Sequence, residues 1–307
     1  MNVLVIGGNG FIGSHLIDYL VENNHSVRVF DHGHEKFRSP NPKIDYRIGE
    51  IGDVAYLYEA MLNIDVVFHL ASGSVPSSSN LDIEIDITKN VFPTISILNN
   101  MVKLRIKKII YFSSGGAVYG EVNDLPIKES NALNPISSYG ITKLTIESYI
   151  KLYSRNHSIE YLIIRPSNPY GPRQGHFLAQ GVISTFLRKI NKNDSLTIYG
   201  DGENKKDYIF VEDLVKYVYS LFSKSKTGIY NVGSGNGVSI NDIIGIIQEI
   251  TQENCKIEFV ESKNYDVKDF ALDISKVKNE TEKDYNTDIK KGIEKTWNWL
   301  KSESSFK

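Results

Sequence analysis

The sequence has almost no cysteine, no long apolar run and no excess of charge of either sign. Cys255 is the single cysteine among 307 residues, which excludes an internal disulfide framework and fits a reducing compartment. The 35 basic and 37 acidic residues give a formal net charge of −2, so no global field favours nucleic acid or an anionic membrane surface. No apolar stretch approaches the roughly 20 residues that span a bilayer, and the N-terminal segment lacks the basic region of a signal peptide. These absences predict a cytoplasmic protein without a membrane anchor.

The sequence also lacks the spacings that are typical of metal sites, hydrolase triads and single-strand nucleic-acid binders. Its seven histidines are scattered; His32 and His34 fall in a predicted loop, and His69 ends a predicted strand. No serine has the flanking pattern of a nucleophile elbow, and the 18 tyrosines are not interleaved with a basic stripe. We therefore expect no metal, no hydrolase chemistry and no nucleic-acid partner.

Up to about residue 165, short β-branched runs alternate with longer amphipathic segments, which is typical of a parallel sheet with crossover helices. The predicted strands are Val3 to Ile6, Ser26 to Phe30, Asp65 to Leu70, Lys108 to Ser113 and Tyr161 to Arg165. The predicted helices include Gly13 to Glu22, Asp53 to Leu62 and Ile87 to Leu104. The pattern predicts an α/β fold with a doubly wound parallel sheet over residues 1–165.

The alternation breaks after Arg165, where residues 166–172 form a loop rich in Pro and Gly. Loops of this kind at the rim of a sheet commonly bind small ligands. We expect a smaller, mainly substrate-binding region over residues 166–307. This region is predicted to interleave with the first domain, because the sequence from about 207 to 232 again resembles a helix and a strand that belong to that domain.

A glycine-rich run, residues 7–13 (GGNGFIG), follows the first predicted strand and opens a helix. Glycines there allow a tight turn, and the helix N-terminus supplies N–H groups for a pyrophosphate. Asp31 ends the second strand, where its carboxylate can accept both ribose hydroxyls and would repel a 2′-phosphate. The run predicts a dinucleotide site that prefers NAD over NADP, although Arg28 and Arg38 are nearby cations that weaken the preference slightly.

A possible acid–base pair lies at Tyr139 and Lys143, four residues apart and hence on one face of a helix. A nearby cation stabilises a phenolate and lowers the tyrosine pKa toward a useful value, so Tyr139 can act as general acid or base. The spacing alone is common on solvated helices. Here the Tyr139–Lys143 pair follows residues 113–120 (SSGGAVYG) by roughly 20 residues. That segment lies at the end of a predicted strand, at the edge of the sheet where such folds bind their ligands.

Together these features resemble the extended short-chain dehydrogenase/reductase family, and within it the NAD-dependent nucleotide-sugar epimerases of the UDP-galactose 4-epimerase type. The resemblance runs from Val3 to about Leu300. Besides the glycine run and YGITK, it includes HLAS at residues 69–72, NV at 90–91, RPSNPYG at 165–171, GDG at 200–202, DYIFV at 207–211, LDISK at 272–276 and TWNW at 296–299.

The resemblance implies a Rossmann-type NAD-binding domain and a nucleotide-sugar substrate. It implies cofactor contacts from Gly7, Gly10, Phe11, Ile12, Gly13, Asp31, Glu50, Ile51, Leu70, Ala71, Ser72, Asn90, Ser113, Tyr139, Lys143 and Ser167. It implies contacts to the nucleotide diphosphate and base from Asn168, Tyr199, Lys206 and Lys263.

The sequence departs from the family pattern at several of these positions. Glu50 stands where an aspartate usually recognises adenine, and Lys206 and Lys263 stand where arginines usually face the diphosphate; a lysine neutralises phosphate but lacks the bidentate fork. Gly115 occupies the position of the usual catalytic Ser or Thr. The adjacent Ser114 is the candidate to replace that hydroxyl, unless Tyr139 acts alone.

The resemblance favours inversion at the 4-position of a UDP-hexose or UDP-N-acetylhexosamine through transient oxidation to the 4-ketose. The related 4,6-dehydratases carry an Asp-Glu pair where this chain has Gly116 and Ala117, so dehydration is disfavoured. Reduction of a nucleotide 4-keto-6-deoxy sugar needs only Tyr139, Lys143 and an exchangeable cofactor, and it is the alternative. A nucleotide-binding protein that has lost its chemistry is a third hypothesis.

The resemblance also implies a homodimer, because the helices Asn90 to Leu104 and Ser138 to Tyr153 commonly build a four-helix interface in this family. Tyr149, Ile150 and Tyr153 could supply its apolar seam. Packing of the same three side chains in the core is the alternative.

Overall fold

The computed structural model describes residues 1–74, 79–175, 181–253, 255–261 and 269–304. The chain divides into two compact units. The first unit comprises Met1–Gly120, Ser130–Arg165 and Val218–Tyr230; the second unit comprises Glu121–Glu129, Pro166–Tyr217 and the described residues from Asn231 onward.

The strands and helices alternate over most of the chain. In chain order they are β1 Asn2–Ile6, α1 Phe11–Glu22, β2 Ser26–Asp31, β3 Ile44–Ile48, α2 Val54–Ala60, β4 Val66–His69, α3 Ile83–Leu104, β5 Lys108–Phe112, α4 Gly115–Val118, α5 Ser138–His157, β6 Glu160–Pro166, β7 Asn168–Tyr170, α6 Val182–Asn191, β8 Leu196–Tyr199, β9 Lys205–Phe210, α7 Val211–Ser223, β10 Gly228–Val232, β11 Gly237–Ser239, α8 Ile240–Thr251, β12 Ile257–Val260, α9 Ser275–Thr281 and α10 Ile289–Ser304.

A seven-stranded sheet in the order β10-β6-β5-β4-β1-β2-β3 forms the centre of the fold. The neighbouring pairs from β3 to β6 are all parallel. All five residues of β5 are buried, as expected for a strand that is covered on both faces. The predicted doubly wound α/β fold is therefore confirmed. The order reverses between β1 and β4, and the crevice at such a reversal is where ligands bind in open α/β sheets.

Element ends differ slightly from the prediction. Helix α3 begins at Ile83 rather than Ile87, because the Asp82 carboxylate caps it by accepting the Ile85 N–H at 2.9 Å. Strand β3 was not predicted, because its sequence IDYRI alternates only weakly and just one of its residues is buried.

The segment that returns to the first unit is shorter than the sequence suggested. Residues 207–210 belong to β9, which pairs with β7 and β11 in the second unit, and only Val218–Tyr230 lies in the first. The physical reason is Asp207, whose fully buried carboxylate accepts N–H groups of Ser234, Gly235 and Leu272 and so fixes β9 within the second unit.

The second unit has its own apolar core. Side chains of α6, α8 and α10 pack on Ile198, Tyr208 and Phe210 of strands β8 and β9. Over the ranges that the structure describes, no helix is both long enough and apolar enough to span a bilayer.

Candidate active site

The glycine run forms a tight turn between β1 and α1. Gly7 has a φ of +86°, and a Cβ on Gly13 would lie 2.3 Å from the Gly7 carbonyl oxygen, so a side chain at residue 13 cannot be accommodated. Gly10 caps α1 without a side-chain acceptor. The first-turn N–H groups, from Phe11 and Ile12 onward, are thus presented by a helix N-terminus that favours an anion.

The end of β2 is joined to this turn by hydrogen bonds. Asp31 accepts the Asn9 N–H at 3.0 Å and the Gly33 N–H at 3.1 Å, and the Asn9 amide donates to the Gly33 carbonyl at 2.6 Å. The Asn9 Oδ1 atom is buried and has no hydrogen-bond partner among the described residues. An unsatisfied acceptor beside a buried carboxylate suits a ligand that carries hydroxyl donors. These residues fit the adenosine half of NAD.

The two nearby arginines are already engaged by carboxylates. Arg28 Nε lies 2.7 Å from Asp45 Oδ2, and Arg38 forms ion pairs with Asp18 and Glu35. Both guanidinium groups are therefore paired with carboxylates other than Asp31. The negative charge of Asp31 still repels a 2′-phosphate, which strengthens the expected preference for NAD over NADP.

Two further segments that carry predicted cofactor residues lie at the same edge of the sheet. The N–H groups of Leu70 and Ala71 donate to the Ile6 carbonyl at 2.9 and 3.0 Å, which places the segment after β4 against Gly7. The turn after β3 is fixed by the Gly49 N–H, which donates to the Asp31 carbonyl at 2.9 Å. Of the residues in these segments, Glu50 and Ser72 are exposed, whereas Ile51 packs partly against the core.

Tyr139 lies in the first turn of α5 and is partly buried. Burial raises the pKa of its phenol to about 12, and a hydrogen bond between Ser114 and the phenol acts in the opposite direction. Lys143 Nζ is 5.4 Å from the centre of the Tyr139 ring. The structure thus brings together Ser114, Tyr139 and Lys143, the three predicted catalytic residues. Gly115 begins the short helix α4 and offers no hydroxyl.

Lys143 is buried and donates from Nζ to the Phe112 carbonyl at 3.0 Å. Burial lowers the pKa of this ammonium to about 8, while the charges of Asp86 and Glu147 oppose that shift. A lysine with such a pKa changes its charge within the range where enzymes work, and its ammonium form stabilises a neighbouring phenolate.

Behind Lys143 lies a buried ion pair. Glu147 Oε1 accepts Arg165 Nε at 3.0 Å and the Ser113 hydroxyl at 2.6 Å, and Oε2 accepts Arg165 Nη2 at 2.6 Å. Arg165 Nη1 also donates to the Tyr119 hydroxyl at 2.9 Å. The predicted cofactor residue Ser113 thus uses its hydroxyl within the protein.

The Asn90 amide is also used within the protein. Its Oδ1 accepts the Gly73 N–H at 2.8 Å, and its Nδ2 donates to the Asp86 main-chain carbonyl at 2.7 Å. Asn90 therefore fixes the segment after β4 against α3.

In the second unit, the structure spreads the predicted substrate residues over three strands. Asn168 on β7 donates to the Asp207 carbonyl at 2.9 Å, Tyr199 on β8 is 49% exposed, and Lys206 on β9 is partly buried. Ser167 is buried, and its N–H donates to the Val232 carbonyl at 2.9 Å. The remaining predicted residue, Lys263, lies outside the described residues.

Sequence reasoning missed the polar side chains that surround the start of α5. They are Ser74, Ser79, Asn80, Asp86, Ser138 and Thr142. One pattern could have drawn attention to Asp86: it and Asn90 are four residues apart, and thus on one face of a helix.

Comparison with known proteins agrees with this geometry. A family model described as NAD dependent epimerase/dehydratase family matches residues 3–233. A putative UDP-glucose 4-epimerase of Methanocaldococcus jannaschii is 38% identical, over 98% of this chain and 99% of that protein. A dTDP-4-dehydro-6-deoxyglucose reductase of Escherichia coli is 33% identical, over 89% of both chains.

Among solved structures, the UDP-glucose 4-epimerase of Thermotoga maritima with UDP-glucose superposes with a TM-score of 0.94. The two chains are 30% identical, and the match covers 99% of this chain and 100% of the other.

Proposed function

Because the chain belongs to the NAD-dependent epimerase/dehydratase family, we propose that it inverts the 4-hydroxyl of a UDP-sugar by transient oxidation to the 4-ketose. One observation carries the proposal: the Tyr139 phenol is hydrogen-bonded to Ser114 and lies beside the Lys143 ammonium, at the carboxyl end of β5. This arrangement can remove a proton from a hydroxyl and return it.

Each of the three side chains has a distinct role in this reaction. Tyr139 accepts the proton of the sugar 4-hydroxyl as hydride leaves C4 and later returns it. Ser114 donates to the phenol and so opposes the rise in its pKa that burial causes. Lys143, whose Nζ lies 5.4 Å from the ring centre, places a positive charge beside the phenolate. Bound NAD supplies the hydride acceptor that no side chain provides.

Ser114 replaces the hydroxyl that the family usually carries at the position of Gly115. The supporting observation is its hydrogen bond to Tyr139. We expect Ser114→Ala to lower kcat roughly a hundredfold to a thousandfold, the range found when one donor to a developing oxyanion is removed. Ser148→Ala is a matched control, because that hydroxyl on α5 donates only to the Leu144 carbonyl at 2.9 Å. Equal kcat values for the two variants would mean that Tyr139 acts alone.

The remaining site residues are assigned by the same proposal. The glycine turn and Asp31 hold the adenosine diphosphate half of NAD, with Glu50 and Ile51 beside the adenine and Leu70 to Ser72 beside the nicotinamide half. Asn168, Tyr199, Lys206 and Lys263 of the second unit are proposed contacts of the UDP group, which the Thermotoga maritima enzyme binds as UDP-glucose. The sugar is a hexose or an N-acetylhexosamine.

Reduction of a 4-keto-6-deoxy sugar nucleotide is the second candidate, because the Escherichia coli relative is a reductase of that kind. The two activities differ in how the protein uses its cofactor. An epimerase recovers its oxidised NAD in every cycle and needs none added, whereas a reductase consumes one NAD(P)H per turnover.

We also propose that the protein is a homodimer that pairs through α3 and α5. The seam differs from the predicted one: Ile150 is fully buried in the core, and Tyr149 and Tyr153 pack partly against it. The most exposed large apolar side chain of each helix is instead Phe92 on α3, at 59%, and Ile141 on α5, at 54%. Light scattering after gel filtration should give twice the chain mass of 34.7 kDa, and Ile141→Glu should give a monomer. The cytoplasmic location stays a prediction.

The Tyr139→Phe variant tests the proposed reaction. The variant should retain its fold and bound dinucleotide, because phenylalanine keeps the ring and removes only the hydroxyl. It should not invert C4 of UDP-glucose or UDP-galactose. Turnover at the wild-type rate would refute the role of Tyr139.

A further inference from the structure

The first turn of α5, which carries Tyr139, is held by side chains from a distant part of the first unit. A helix N-terminus leaves its first N–H groups without intrahelical acceptors. Asn80 Oδ1 accepts the Ser138 N–H at 2.8 Å, and Ser79 Oγ accepts the Tyr139 N–H at 3.1 Å. The main chain at Tyr139 is therefore fixed by residues that precede α3.

Asp86 on α3 fixes the same turn through side chains. Its carboxylate is 1% exposed, and Oδ2 accepts the hydroxyls of Ser138 at 2.6 Å and Thr142 at 2.9 Å. Oδ1 accepts Asn90 Nδ2 at 3.0 Å and the Ser74 hydroxyl. Each carboxylate oxygen thus has two donors, which is the satisfaction that a buried charge requires.

Each catalytic side chain on α5 directly follows a residue whose hydroxyl donates to Asp86. Ser138 directly precedes Tyr139, and Thr142 directly precedes Lys143, so both hydroxyls lie on one face of the helix, one turn apart. Rotation or sliding of α5 against α3 would break both hydrogen bonds and move both catalytic side chains. Misplacement of a reacting group by about 1 Å can cost a hundredfold in rate.

Asp86 also acts on the catalytic pair by its charge. It raises the pKa of Lys143 and that of Tyr139, because a nearby negative charge favours the protonated form of each. Glu147 also raises the pKa of Lys143, but less than Asp86 does, and its carboxylate is paired with Arg165.

Two further groups face the pair from the sheet. His69 on β4 is buried, and burial followed by the charge of Lys143 lowers its pKa to about 3, so it is neutral. Tyr111 on β5 has its ring centre 5.2 Å from Lys143 Nζ, and burial raises its pKa well above 10.0, so it is neutral as well. Over the described residues, Asp86 is therefore the carboxylate beside the pair that forms no ion pair with a cationic side chain.

We propose that Asp86 is a positioning residue for the catalytic pair: its buried carboxylate holds α5 in register through Ser138 and Thr142 and places a negative charge beside the pair. This inference rests on the proposed epimerase function, since it assigns Asp86 to the same site.

The Asp86→Asn variant of the NAD-loaded protein tests the proposal. Asparagine keeps the shape, and the hydroxyls of Ser138 and Thr142 can rotate to suit it. We expect kcat to fall roughly tenfold to a hundredfold while KM for the UDP-sugar changes less than about twofold. We also expect the alkaline limb of the pH–rate profile to move down by about one pH unit, because Lys143 loses its proton more readily.

Two comparisons separate position from charge and from general destabilisation. Thr142→Val removes one hydroxyl without changing charge, so kcat should fall while the alkaline limb stays in place. Glu84→Gln removes a carboxylate from the exposed face of α3 and should change neither quantity. The proposal is overturned if Asp86→Asn keeps the wild-type kcat and pH profile, or if Glu84→Gln moves the limb equally. Should Asp86→Asn fail to fold, a wild-type kcat in both Thr142→Val and Ser138→Ala overturns it.

A second measurement needs no substrate and so separates this inference from the proposed function. The tyrosinate absorbance of Tyr139 is obtained as the difference between a protein and its Tyr139→Phe counterpart across the alkaline range. In the Asp86→Asn background this titration should occur at lower pH than in the wild type, even if the wild type inverts no UDP-sugar. An unchanged titration would show that the Asp86 charge does not act on Tyr139.

Discussion

The Glu147→Gln substitution is expected to destabilise the protein by about 3–5 kcal/mol, because it leaves the Arg165 guanidinium buried without its partner charge. Glu147 and Arg165 are 0% and 1% exposed, so water screens neither of them. Glutamine keeps one acceptor oxygen, but its amide group replaces the oxygen that accepts Arg165 Nη2 at 2.6 Å. A hydrogen bond to a charged group contributes about 1.5–3 kcal/mol, and the uncompensated charge adds to that loss.

Thermal and urea denaturation, followed by circular dichroism, measure this loss. A change of 3–5 kcal/mol corresponds to a midpoint lower by roughly 10 °C for a unit of this size. Glu249→Gln is the control, because Glu249 forms an exposed ion pair with Lys290, of a kind that contributes about 0–1 kcal/mol. If Glu147→Gln shifts the midpoint no more than this control, Arg165 finds another partner and the reasoning is wrong.

Three further predictions concern the cofactor turn and the catalytic lysine. Gly13→Ala should abolish bound dinucleotide in the purified protein, because its Cβ would lie 2.3 Å from the Gly7 carbonyl oxygen, whereas Gly245→Ala in open space should retain it. Asp31→Asn should weaken NAD binding and strengthen NADP binding, since it removes the charge that repels a 2′-phosphate. Calorimetry measures both affinities, and an unchanged ratio between them would count against this role of Asp31. Activity that requires the Lys143 ammonium should fall as pH rises through about 8, which a profile of kcat/KM measures, and a flat profile there would contradict the assignment.

The sequence was sufficient to predict the elements whose cause is local. The strand, glycine turn and helix at residues 2–22 follow from apolar runs and from glycines that a tight turn requires. Their ends in the structure lie within two residues of the prediction. Tyr139 and Lys143 were found because four-residue spacing on a helix brings side chains together.

What the sequence could not predict depends on tertiary packing. Asp86 accepts hydrogen bonds from Ser138 and Thr142, which lie 52 and 56 residues further along the chain. No local sequence pattern can predict contacts at that separation. Which face of α5 packs in the core could not be predicted for the same reason, because the helix offers apolar residues on two faces and only tertiary packing decides that Ile150 is buried and Ile141 exposed. The same holds for the segment that returns to the first unit. Its extent depends on the buried carboxylate of Asp207, which the apolar periodicity of the sequence does not reveal.

Nuclear magnetic resonance of a UDP-sugar is the most direct test of whether this protein is a 4-epimerase. The protein is purified without added cofactor and incubated in turn with UDP-glucose, UDP-galactose and their N-acetylhexosamine counterparts, while the sugar 4-position is followed. We predict inversion at C4 with at least one pair and without added dinucleotide. No inversion with any of them, together with oxidation of added NAD(P)H by a 4-keto-6-deoxy sugar nucleotide, would contradict it and assign the site to a reductase.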